Sequence, residues 1–357
     1  MRVLVTGGCG FIGGHIVDKL LAKEYEVTVL DCLEQPTHQN NKPNYLAKNI
    51  NFIQGNVLEA DKLKQALKDV EVVFHQAATG GFTDNVAKYY EYNTLATAKF
   101  WELIVKENIK LRKFIVASSV AVYGEGKYNC QQCGVVTPCS RTKEKLERQE
   151  WELRCPACQK ILYPMLTDEA KPVNPILHYS QSKYDQERIT MIMGKQTKIP
   201  VVALRYFLTY GPRQSPTNPY TGVCSLFATK LLKNKKPVIY EDGLQTRDFV
   251  FVEDVADANI LVMESDNADN YVFNVGTGKT TAIKHVAETI AKSLGKPLEF
   301  EIGQKYREGD VRHIVANINE LQSIGFAPKF SLEQGLKLYL EWLQNHNGKE
   351  EKTNTLI

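Results

Sequence analysis

The stretch that decides the fold is TGGCGFIG, residues 6–13. It leaves a short strand, RVLVT (2–6), and opens the amphipathic run FIGGHIVDKLLAK. Glycines fall at positions 7, 10 and 13. A backbone that must lie against a pyrophosphate needs residues without Cβ, and a helix beginning at Phe11 aims its first amides at the phosphates. About twenty residues further on, a second strand, EVTVLD, ends on Asp31, where an acid accepts hydrogen bonds from the ribose hydroxyls of adenosine. Cys32, Leu33 and Glu34 follow it, so no Arg or Lys waits for a 2′-phosphate. Gly7, Gly10, Phe11, Gly13 and Asp31 therefore imply NAD rather than NADP.

Outward from this loop, strand and helix alternate for two hundred residues. NFIQG, DKLKQALKD, VEVVFHQAA, a long helix over about 84–108 and KFIVASS (113–119) follow in turn. Near-continuous Val/Ile strands separated by helices predict an α/β fold with a doubly wound parallel sheet. From about 208 the pattern loosens into a smaller lobe. The expected organisation is an NAD-binding Rossmann domain over 1–207 carrying an insertion at about 127–172. An interleaved lobe over 208–345 and a disordered polar tail over 346–357 complete it. A net charge of +3, spread along 357 residues, gives no nucleic-acid footprint. The basic run Lys230–Lys236 is broken by Leu231, Leu232 and Asn234 and reads as a solvated helix end. No run approaches the ~20 apolar residues of a membrane span. MRVLVTGG enters a strand at once, which leaves no room for a signal peptide, so a cytoplasmic setting is expected.

YSQSK (179–183) places Tyr179 and Lys183 one turn apart on one helix face. A phenol with a pKa of about 10 becomes a usable base when an ammonium stabilises its phenolate. The G-x-x-G-x-x-G spacing, the FHQAA strand (74–78), SSVAVYG (118–124) and this Tyr-x-x-x-Lys pair resemble the extended short-chain dehydrogenase/reductases. More narrowly, they resemble the NAD-dependent nucleotide-sugar epimerase/dehydratase family. The resemblance implies a catalytic triad of Tyr179, Lys183 and Ser119, with Ser119 also bonding the sugar oxygen. It adds Ile12, Asn56, Val57, Ala77, Ala78 and Asn93 to the cofactor contacts, although Asn56 stands where relatives carry Asp. Dehydratases of the family carry Asp-Glu where this chain has Val120 and Ala121, which cannot transfer protons. Hydride transfer is thus provided for and elimination is not.

LRYFLTYGPRQ (204–214), NPYTGV (218–223), VIYEDGLQTRDF (238–249) and REGDVRH (307–313) are similar to the family's nucleotide-diphosphosugar signatures. They imply Tyr240 against the nucleobase and Arg247 and Arg312 clamping the pyrophosphate, since a guanidinium fork matches phosphate oxygens. Leu208 departs from the family's Asn. A homodimer, paired through helices near 84–108 and 178–195, is implied as well.

Tyr123 and Tyr179 lie 56 positions apart, farther than in relatives, and the excess holds KYNCQQCG and RCPACQ. Cys130, Cys133, Cys155 and Cys158 have the spacing of a zinc-ribbon site. Four thiolates fill a tetrahedral shell and leave no place for substrate, so the zinc is structural. Cys139 fits the spacing less well, and Cys9, Cys32 and Cys224 read as small or buried residues. This insert, with NPYTGV, is most similar to the dTDP-L-rhamnose 4-epimerases. The expected activity is NAD-dependent 4-epimerisation of a dTDP- or UDP-linked hexose. A net dehydrogenase, reductase or dehydratase, a dinucleotide-sensing regulator and a partner-docking ribbon are the alternatives.

Overall fold

The structure, a computed structural model, describes residues 1–35, 37–38, 41–80, 85–215, 222–303 and 305–353, with side chains as far as 345. Residues 218–221 of NPYTGV and the last four residues of the tail lie outside these.

Seven strands form the main sheet: β1 (Arg2–Thr6), β2 (Glu26–Asp31), β3 (Asn51–Gln54), β4 (Val72–His75), β5 (Lys113–Ser119), β6 (Val201–Tyr206) and β7 (Val272–Val275). Their order is β7-β6-β5-β4-β1-β2-β3, with every pair parallel. Because both faces are covered, β5 and β6 are buried at every residue, which is why these strands read as unbroken apolar runs. The chain leaves β1 for β2 on one side and reaches β4 on the other. That reversal opens a crevice at the carboxyl ends of β1 and β4.

Helix α1 (Phe11–Ala22) packs on one face with α4 (Val252–Glu264). On the other face, α2 (Ala96–Lys106) and α3 (His178–Thr197) pack together. There Trp101 stacks near Phe114 at 4.7 Å between ring centres, 1% exposed. A π-helical turn, Tyr90–Leu95, runs into α2.

A second apolar cluster joins Tyr210, Phe227, Phe249, Ile283 and Leu336 in the smaller lobe. The chain crosses between the two bodies more than once, since β7 returns to the main sheet after the lobe has begun. Helix α5 runs Leu332–Thr353, so the polar tail expected to be disordered from 346 is helical to Thr353. Lys and Glu are good helix formers, and each residue added to an existing helix gains a hydrogen bond. The insertion forms a three-stranded antiparallel sheet, Gly134–Val136, Lys127–Cys130 and Tyr163–Met165. Tyr128, Cys130, Leu153, Cys155 and Leu162 form its small apolar cluster.

Candidate active site

The crevice is a cleft of ≈ 600 Å3. Its floor is the glycine turn. Gly7 has φ of 70°, and a Cβ there would lie 2.8 Å from the Ala77 nitrogen. A Cβ on Gly13 would fall 2.2 Å from the Gly7 carbonyl oxygen, so the helix can approach the strand only with glycine at this position. Gly10, Phe11, Ile12, Asn56, Val57, Ala77 and Ala78 line the same cleft.

Asp31 is 5% exposed at the end of β2. Its Oδ2 accepts the Cys9 N–H at 3.0 Å and its Oδ1 the Leu33 N–H at 2.9 Å. Held this way, the carboxylate keeps lone pairs for ribose hydroxyls. The His38 ring, 3.8 Å from Asp31, is a neighbour not foreseen in the sequence. Asn56 spends its Oδ1 on the Leu58 N–H at 2.9 Å. Lys88 also borders the cleft, but Glu34 pairs with it at 2.7 Å. Asp31 and Glu34 thus set two carboxylates where a 2′-phosphate would lie, and the pocket fits NAD.

Asn93 is the exception among the expected cofactor contacts. Buried in the π-helical turn, it stands behind the cleft rather than in its wall. Its Oδ1 accepts the Thr79 N–H at 2.8 Å, and its Nδ2 donates to the Thr79 carbonyl at 3.0 Å and Ser182 Oγ at 2.9 Å. An amide with two donors and an acceptor can tie two elements together, and here it joins the Ala77–Thr79 loop to the tyrosine-bearing helix.

Tyr179 and Lys183 project from the first turns of α3 into the cleft. Burial pushes the Tyr179 phenol up, and the hydrogen bond from Ser119 partly offsets this. Ser119 ends β5, and its Oγ accepts the Ala121 N–H at 3.2 Å. Burial lowers the Lys183 ammonium to about 7, against the raising effect of Glu187. Lys183 donates to Gln186 Oε1 at 2.5 Å, and Gln186 donates to Thr97 Oγ1 at 2.9 Å and meets His75 Nε2 at 3.3 Å. His75, pushed down to about 3 by burial and then by Lys183, stays neutral.

Beneath the pair, Glu187 accepts Arg205 at 2.6 and 3.0 Å and the Ser118 hydroxyl at 2.7 Å, which makes Ser118 structural. Gln186 and Glu187 were not singled out in the sequence. Their spacing of three and four residues from Lys183 was the available signal.

The lobe alters the substrate-side expectations. Tyr240 is 36% exposed. Arg312 is not available as a pyrophosphate clamp. Its side chain is fully buried and donates to Glu152, Glu241 and Asp242 at 2.6–3.0 Å. The fork that matches phosphate matches carboxylates equally, and three of them reach it first. Arg247 donates to Asp310 Oδ1 at 2.7 Å and to the Val311 carbonyl at 2.6 Å. Arg307, at the head of REGDVRH, is an exposed cation beside Tyr240, its guanidinium carbon 6.0 Å from the ring centre. Leu208 packs against the lobe's apolar cluster, which accounts for an apolar residue at that position.

In the insertion, ligand atoms of Cys130, Cys133, Cys155 and Cys158 all lie within 4.8 Å of one another. Zn–S bonds of ~2.3 Å place tetrahedral sulfurs about 3.8 Å apart, so the quartet fits a four-thiolate ion. Cys139 is exposed and stands outside the group. Cys9 and Cys224 are buried as expected, whereas Cys32 is exposed, because it lies just past the strand end.

The family model described as NAD dependent epimerase/dehydratase matches residues 3–154 and 156–276. The dTDP-L-rhamnose 4-epimerase of Burkholderia thailandensis is 34% identical over 350 residues, 96% of this chain and 94% of that one. Two solved structures are similar along nearly the whole chain. The UDP-glucose 4-epimerase of Thermotoga maritima with UDP-glucose has a TM-score of 0.80 at 29% identity, covering 97% and 100% of the two chains. The UDP-N-acetylglucosamine 4-epimerase of Methanobrevibacter ruminantium with UDP-N-acetylmuramic acid has 0.78 at 32%, covering 97% and 98%. With the cleft, the Tyr-Lys pair and these matches in agreement, the chain belongs to the NAD-dependent epimerase/dehydratase family.

Proposed function

We propose that the protein inverts C4 of a dTDP- or UDP-linked hexose with no net oxidation. The observation that carries this reading is the Ser119–Tyr179–Lys183 group at the cleft mouth beside Val120 and Ala121. A secondary alcohol can lose and regain its proton there, but Val120 and Ala121 cannot serve as the acid–base pair that expels water. NAD bound in the cleft supplies the hydride acceptor and donor. Ser119 holds the sugar oxygen, and Tyr179 takes the C4 hydroxyl proton as the carbonyl forms. The 4-keto sugar then presents its other face, and Tyr179 gives the proton back as the C–H bond re-forms. Lys183, held by Gln186, stabilises the phenolate. Tyr240 and Arg307 hold the base and the diphosphate, and Arg247, whose guanidinium is spent on Asp310 and backbone carbonyls, shapes the wall behind them.

The four knuckle cysteines bind one structural zinc. The protein works as a homodimer in the cytoplasm, paired across α2 and α3. Leu95, Val105 and Ile192 are 45–54% exposed on that face, and an apolar groove runs between Trp101 and Met193. None of the described helices is long and apolar enough to cross a membrane. The test is to incubate the purified protein with UDP-glucose, UDP-galactose and dTDP-L-rhamnose without added cofactor and follow the products by NMR. A C4-inverted sugar approaching equilibrium is expected. A 4-keto-6-deoxy sugar, a pentose or stoichiometric NADH would overturn the reading.

A further inference from the structure

The insertion could be a free appendage tied to the enzyme only through its two ends, but its polar contacts run elsewhere. Glu152, three residues before Cys155, accepts Arg312 Nε at 3.0 Å and NH2 at 2.6 Å through Oε1, and its Oε2 meets His313 Nε2 at 3.3 Å. Arg141, between the two cysteine knuckles, donates to Glu241 at 2.8 Å and to the Asp310 carbonyl at 2.9 Å. Arg312 passes the link onward to Glu241 and Asp242 at 2.7–3.0 Å. Backbone bonds run alongside: Thr167 N–H to the Val315 carbonyl at 2.7 Å, and His313 N–H to the Tyr128 hydroxyl at 3.1 Å.

Every one of these bonds ends on two segments of the lobe. One is the turn directly after Tyr240, where Glu241 holds a left-handed backbone, φ 54°, that is uncommon for a non-glycine residue. The other is Asp310–Val315, three residues beyond Arg307 at its start. Arg141 is 8% exposed, Glu241 4% and the Arg312 side chain 0%, so their links are buried and poorly screened by water, while Glu152 reaches Arg312 from a side chain that is 41% exposed. The insertion's own apolar cluster is small, and a cross-link between the knuckles is what orders Glu152 and Arg141.

We propose that the metal-bound insertion braces the nucleotide-binding wall: through Glu152, Arg141 and Arg312 it sets the Tyr240–Asp242 turn and the loop carrying Arg307. The metal and the sugar nucleotide are therefore thermodynamically coupled, although the metal is remote from the chemistry. Glu152 and Arg141 are positioning residues and touch neither substrate nor NAD. This inference rests on the proposed use of the lobe for a nucleotide diphosphate. By linkage, a nucleotide that needs the braced wall must in turn hold the insertion closed around its metal.

The probes are UDP and dTDP, titrated calorimetrically into the full-length NAD-loaded protein. The variants are Glu152→Gln, which leaves Arg312 paired with Glu241 and Asp242, and Glu147→Gln as a control on the exposed face of the insertion. Glu152→Gln is expected to weaken nucleotide affinity about tenfold. Bound NAD, metal content and melting temperature should stay as in the wild type, and KM for the sugar nucleotide should rise with little change in kcat. In the wild type, saturating nucleotide should slow zinc loss to a colorimetric chelator several-fold, and this protection should shrink in Glu152→Gln. Wild-type affinity in Glu152→Gln, together with zinc release indifferent to nucleotide, would overturn the brace while leaving the substrate class standing. If neither nucleotide binds the wild type, the proposed substrate class fails and the brace with it.

Discussion

At the scale of single residues, the site sets two groups of opposite charge type in one pocket. Burial lowers Lys183 to about 7 and raises Tyr179. Tyr179 accepts the C4 proton only as phenolate, and a raised phenol makes that form scarcer at low pH. The kcat/KM profile is therefore expected to rise with pH, and a flat profile from pH 5 to 9 would count against this assignment. Replacing Tyr179 with Phe should lower kcat by ~10³ or more, because it removes the proposed base for the C4 proton. NAD should remain bound, since the glycine turn and Asp31 are untouched, and absorbance of the released cofactor measures this. Gly13 gives a sharper steric test. A Cβ 2.2 Å from the Gly7 carbonyl oxygen must push helix from strand, so Gly13→Val should purify with little NAD and melt several degrees lower.

At the scale of elements, the catalytic helix owes its position to polar ties rather than to apolar packing alone. Arg205 of β6 and Ser118 of β5 meet Glu187, and Asn93 bridges Thr79 and Ser182 from a π-helical turn. Such turns reorient a side chain that an α-helix would carry past its target. Asn93→Ala should cost about 1–3 kcal/mol by leaving buried groups of the Thr79 loop unpaired, and urea unfolding would measure it. Elements with a strong local signal were legible in the sequence: the glycine spacing, the Val/Ile runs of β1, β2 and β5, and the four-residue step from Tyr179 to Lys183. The two-residue strands Thr246–Arg247 and His313–Ile314 carry no such signal, since two residues show no period. Arg312 illustrates the same limit. Its partner Glu152 lies 160 positions away, and no local pattern distinguishes a guanidinium that will meet phosphate from one that will meet carboxylates.

At the scale of the whole molecule, one sheet, one lobe and one small insertion are distinct: the sheet forms the cofactor cleft, the lobe carries the residues proposed to hold the nucleotide, and the insertion ties itself to the lobe. Elemental analysis should give about one zinc per chain. Cys155→Ser, at a fully buried ligand position, should lose that metal and some thermal stability while keeping NAD. Light scattering at micromolar concentration should return the mass of a dimer, and Val105→Glu with Ile192→Glu on the exposed helix face should return that of a monomer. The central claim is that the hydrogen removed from C4 is returned to the same sugar within one turnover. It is tested most directly with an accepted nucleotide hexose deuterated at C4, incubated in ordinary water without added NAD, with both epimers examined by NMR and mass spectrometry. The account predicts that the C4-inverted product keeps its deuterium. Loss of the label to solvent, or its appearance in free NADH, would contradict it.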